Sequence, residues 1–162
     1  MENDMRFLTP FVLITAIVLG GCDYLAQKEL KPGVSTVAEV REYMGVPETI
    51  WEEPDGTQIH EYPVGLNTYM ISISQSGIFQ AMTNVLTEAQ FKKVVAGTSK
   101  ETVRRLLGRP ADVVYLERLK ELVWTYAHQG KIEERDFFDV HFDTAGTVIK
   151  TAIRRDYGPG GN

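Results

Sequence analysis

The sequence predicts an α+β fold of two tandem α-α-β-β-β units, with the helices packed on one face of antiparallel sheets. Three observations lead there. A helix-ending phrase is written twice, as "GVSTVAEVREYMGVP" from Gly33 and as "GTSKETVRRLLGRP" from Gly97. A strand-and-turn pattern is also written twice, in "YMISISQSGIF" from Tyr69 and "FDVHFDTAGTV" from Phe138. Within each copy the apolar period changes from helical spacing to strict alternation after a Gly-x-Pro stop, as happens where a helix gives way to half-buried strands. Self-similarity at a fixed offset marks a duplication. It sets the first unit at residues 31–86 and the second at 87–156.

Before the units lies a segment kept out of the fold. Phe7 to Leu19 is apolar but well short of the roughly 20 residues a spanning helix needs, and small residues follow it in "LGGC". Residues 1–21 therefore read as a secretory signal peptide. The acidic start "MEND" is unusual for one, whereas a start at Met5 gives "MRFLTP" with the expected positive charge. "LGGC" resembles the bacterial lipobox, which makes Cys22 the first mature residue and its site of acylation. Cys22 is the only cysteine, so no internal disulfide can form even in an oxidising compartment. Each buried methylene of an acyl chain contributes about 0.8 kcal/mol, and several chains anchor stably where one does not. Residues 22–30 then form a lipidated tether reaching at most ~3.5 Å per residue, which keeps the folded part near a bilayer. Residues 157–162 read as a flexible Gly-rich tail.

In the first unit Thr36-x-x-Glu39 has capping-box spacing, Val37, Val40 and Met44 form an apolar stripe, and Gly45 with Pro47 stops the helix. The strand of Tyr69, Ile71 and Ile73 follows, between turn signals at Asp55-Gly56 and Ser76-Gly77. In the second unit Thr87-x-x-Gln90 opens a helix carrying Phe91, Val94 and Val95 that runs to Gly97. Ser99 caps the next, whose stripe of Val103, Leu106 and Leu107 ends at Gly108 and Pro110. Strands of Leu122, Trp124 and Tyr126, then of Phe138, Val140 and Phe142, complete it.

Removing the leader leaves a net charge near −4. That mild acidity offers no basic footprint, and nucleic acid is excluded as a partner. No G-x-S-x-G, phosphate loop or Cys-His pairing is present in the mature chain, so the reading is not an enzyme and takes no cofactor. His141, flanked by Asp139 and Asp143 on one strand face, has the spacing of metal ligands but reads as the solvated face opposite the apolar one, and no metal site is assigned. Trp51 and Tyr115 are the candidate partner contacts, because Trp and Tyr are enriched in binding hot spots.

The pattern from Val94 to Pro110, "VVAGTSKETVRRLLGRP", followed by the strand of Trp124 and Tyr126 and a hairpin closing at Gly146, resembles the BamE/SmpA (OmlA) lipoproteins of the outer-membrane β-barrel assembly machinery. The resemblance covers most of the second unit and, in the first, the helix phrase and final hairpin. It implies a non-catalytic, membrane-anchored scaffold that binds other envelope proteins, the assembly complex among them. The duplication departs from that single-unit family and is similar instead to the β-lactamase inhibitor proteins, which implies an alternative: a binder or inhibitor of a periplasmic enzyme. Localisation follows as the cell envelope, with the folded part in the periplasm. Family likeness favours the outer membrane, while Asp23 directly after Cys22 resembles an inner-membrane retention signal.

Overall fold

A computed structural model describes residues 22–130 and 135–155. The leader, its lipobox up to Gly21 and the tail at 157–162 lie outside the described residues. The chain runs α1 (Cys22–Glu29), α2 (Val37–Met44), β1 (Thr49–Glu52), β2 (Gln58–Val64), β3 (Asn67–Ile73) and β4 (Phe79–Asn84). It then repeats the order as α3 (Glu88–Phe91), α4 (Lys100–Leu107), β5 (Asp112–Leu116), β6 (Glu121–Gln129), β7 (Arg135–Phe142) and β8 (Val148–Arg155). Each unit carries one antiparallel meander, ordered β1-β2-β3-β4 and β5-β6-β7-β8. No helix among the described residues is long and apolar enough to cross a membrane.

The expected three-strand meander is a four-strand one. The unpredicted members, β1 and β5, are edge strands that follow each helix stop directly. All but the last residue of β5 is exposed, so it lacks the alternation that betrays a half-buried strand. The expected tether also differs, since its residues form α1, with Ala26 fully buried and Leu30 nearly so against Val40, Tyr62 and Ile71. Expected to reach Gly97, the first helix of the second unit stops after one turn. There the Thr98 hydroxyl takes the Val95 amide and Val94 turns back to the Phe91 carbonyl.

The doubled phrase has a structural meaning. In each unit the segment before the long helix grips the hairpin that ends the sheet: Gly33 and Val37 donate to Phe79 and Gly77, while Gly97 and Lys100 donate to Val148 and Gly146. The predicted capping box forms at Thr36 and Glu39, and Ser99 accepts the Thr102 amide. Gly45 and Gly108 end their helices at φ 79° and 80° but with ψ near −150° and −161°, rather than in the expected left-handed helical cap. That region is open essentially to glycine alone.

Each unit has its own core on the helix face of its sheet. Tyr62, Tyr69, Ile71, Ile73 and Phe79 meet α1 and α2; Tyr126, Phe138, Val140, Phe142 and Val148 meet α3 and α4. Phe91 stacks on Phe138 at 4.2 Å between centroids, which lets even a one-turn helix cover the middle of its sheet.

Candidate functional site: the outer sheet faces

Side chains alternate across a strand, so each sheet has an outer face opposite its core. On the first sheet this face holds Thr49, Trp51, Glu61, Thr68 and Met70, and it is occupied by the C-terminal end of α4 from the other unit. Glu61, fully buried, forms an ion pair with Arg104 at 2.7 Å and accepts the Arg109 amide. Arg104 also donates to the Thr49 hydroxyl at 3.2 Å and, with Arg105, lies over the Trp51 ring. Arg105 pairs with Glu53, and Arg109 with Glu48 at 3.3 Å. Gly108 permits the approach, because a Cβ there would meet Glu61 Oε1 at 2.6 Å and Thr68 Cγ2 at 2.8 Å. From the second core, Tyr126 donates to the Gly108 carbonyl at 3.2 Å, tying the joint to both units.

The outer face of the second sheet has no such cover among the described residues. Thr125 stands where Glu61 stands in the first sheet, and its hydroxyl donates to Asp139 on the neighbouring strand at 2.7 Å. Arg154 from β8 grips the same carboxylate with two donors. Burial pushes the Asp139 carboxyl up, but Arg154 and Thr125 outweigh it and hold the group below its usual range; Arg154 is raised in turn. Held this way, the Arg154 guanidinium lies 4.9 Å from the Phe137 ring centre, and that of Arg135 lies 5.4 Å from it. Next along β7, His141 meets Glu121 at 2.7 Å, and Lys150 meets the same carboxylate at 3.1 Å; both contacts lower the Glu121 carboxyl. The result is a half-exposed patch of one aromatic ring, two arginines and ordered charge pairs.

The predicted contact residues divide. Trp51 is spent inside the molecule as the platform for Arg104 and Arg105. Tyr115 is 47% exposed on β5. The triad His141, Asp139 and Asp143 does not converge: the first two have the partners just named, and Asp143 caps its own turn through the Ala145 and Thr147 amides. Phe137, Arg135 and Arg154 were missed by sequence reasoning. Their only signal was the alternation of β7, which places Phe137 opposite Phe138. A groove of about 1240 Å³ also opens beside α3, between Leu86, Phe91 and Ile153. It lies where the short helix leaves the core-face side of β8 uncovered.

Comparison with protein-family models gives no match, so the BamE/SmpA resemblance finds no support there, and comparison with curated proteins gives none either. Among solved structures the chain is similar to YjgB, a DUF4309 family protein of Bacillus subtilis, at 16% identity over 79% of this chain and 83% of that one, with a TM-score of 0.31. It is also similar to a proposed β-lactamase inhibitor protein of Streptococcus mutans, at 9% identity over 82% of this chain and 95% of that one, with a TM-score of 0.33. At such scores neither likeness bears on function.

Proposed function

We propose that the chain is a non-catalytic protein-binding module of the bacterial cell envelope, anchored through acylated Cys22, and that it binds through the outer face of its second sheet. One observation carries the reading. The equivalent face of the first sheet already binds protein, since the end of α4 docks there through arginines, a buried carboxylate and Trp51. The second face presents Phe137 with the guanidiniums of Arg154 and Arg135 at 4.9 and 5.4 Å from its ring centre. Arginine and aromatic side chains held in place are the usual anchors of protein interfaces.

Lipidation is tested by metabolic labelling with a palmitate analogue, expected in the wild type and lost in Cys22→Ser. Binding is tested by mild-detergent pull-down of the full chain from its own envelope beside Phe137→Ala and Arg154→Ser. A partner recovered with the wild type and lost with both variants supports the proposed face; equal recovery defeats it. The barrel-assembly complex is the partner that the sequence resemblance puts first. Asp23→Ser, fractionated beside the wild type, distinguishes the outer membrane from the inner one.

A second reading, a binder or inhibitor of a periplasmic enzyme, is favoured by the duplicated sheet. Under it the same face grips one soluble protein, and Cys22→Ser retains that partner.

A further inference from the structure

We propose that β5 pairs edge to edge with β5 of a second copy of this chain, antiparallel about a two-fold axis at Val114, joining two second-unit sheets into one of eight strands. The starting observation is the composition of the edges. Free sheet edges present unpaired backbone groups and are ordinarily blunted by charge. Here β1 carries Glu52 and is followed by Glu53, and β8 carries Lys150, Arg154 and Arg155; β4 carries no charge, but its exposed positions are the polar or small Gln80, Ala81 and Thr83, not large apolar side chains. Across Val113, Val114 and Tyr115, β5 carries no charge, and these residues are 52, 44 and 47% exposed.

The backbone is oriented for this pairing. The Val113 amide is held by the Asp112 carboxylate at 2.8 Å and not by β6, so it lies on the free side of the ladder. Tyr115, two residues on, faces the same way. An antiparallel copy centred on Val114 then sets Val113 against Tyr115 of the second copy, and Tyr115 against its Val113. Both are hydrogen-bonded pairs that use these outward amides and carbonyls. They are also β-branched–aromatic pairs, which stabilise neighbouring strands. Val114 meets its own counterpart in a non-hydrogen-bonded pair, and Asp112 lies opposite Leu116, so no like charges face each other. A two-fold contact of this kind closes on itself as a dimer instead of growing into a fibre. The Asp112 carboxylate competes for the Val113 amide and keeps the pairing weak and concentration-dependent.

The test is a cysteine series in the full chain, purified in detergent. Non-hydrogen-bonded antiparallel partners have Cα atoms about 4.5 Å apart, within disulfide range. Val114→Cys is expected to give a disulfide-linked dimer on mild oxidation. Val113→Cys, whose counterpart is displaced along the strand, and the wild type with Cys22 alone are not. Sedimentation equilibrium of the wild type is expected to show a monomer–dimer equilibrium that Tyr115→Lys shifts to monomer and Asp112→Ser shifts several-fold toward dimer. Thermal melts followed by circular dichroism check that each variant keeps its fold. A monomer at every concentration with no Val114→Cys dimer overturns the proposal. So does equal cross-linking of Val113→Cys and Val114→Cys.

Discussion

Gly45 and Gly108 occupy the same place in the repeat and have nearly the same φ, yet their surroundings differ. A Cβ on Gly45 would meet nothing within 4 Å, whereas one on Gly108 would press into Glu61 and Thr68. Alanine at either site carries the cost of this glycine-only backbone region, about 1–3 kcal/mol. Gly108→Ala is expected to lose clearly more than Gly45→Ala in urea denaturation, because it also displaces the buried ion pair. Glu61→Gln should destabilise by about 2 kcal/mol, the scale of a lost hydrogen bond to a charged group. His60 supplies a pH dependence. Burial, and then the nearby positive charge of Arg41, pull its imidazole below the ordinary value, so the folded chain favours the neutral ring. The unfolded chain takes up the proton first, near pH 6.5. Stability present above that pH is therefore lost as pH falls. Urea midpoints at pH 7.5 and 5.5 should separate more in the wild type than in His60→Gln.

At the scale of elements, the same helix–strand phrase does two jobs. The end of α4 is an interface; the end of α2, with Val46 89% exposed, is surface. The capped helices and their glycine stops were legible in the sequence because capping is local: Thr36 with Glu39, and Ser99 with the Thr102 amide. The one-turn length of α3 was not, since Val94 and Val95 kept helical spacing while Thr98, three residues beyond Val95, competed for the backbone. Edge strand β5 escaped for the reason that makes it a docking candidate, since it is exposed over all but its last residue and shows no alternation; β1 does alternate, but over only four residues, too few to stand out as a period. Trp51→Ala should cost stability, about 1 kcal/mol from the two cation–π contacts besides lost packing, and leave pull-down recovery unchanged. This outcome would separate the joint from the binding face.

For the whole molecule, the joint seats the end of α4 from the second unit on the sheet of the first. A unit of about 60 residues buries only about 60% of its unfolded surface and is marginal alone, while Glu61, Arg104, Gly108 and Tyr126 link the two through buried contacts. Calorimetry of the wild type is expected to give a single transition, and Glu61→Ala to broaden or split it. The sequence by itself determined what repeats and local rules control. These are the duplication, which direct comparison of the stretches from Gly33 and from Gly97 exposes, and the capped helices and alternating strands of each core, which depend on residues within a few positions of one another. Tertiary structure alone decided which of two equivalent faces is occupied. The outer residues of β2 and β6 have the same periodicity, and only the packing of α4, some 40 residues along the chain from Glu61, buries one carboxylate under a neighbour's arginine. In the other sheet, Asp139 takes its arginine from its own β8. Burial of charge depends on what comes from elsewhere in the chain, and no local pattern encodes that.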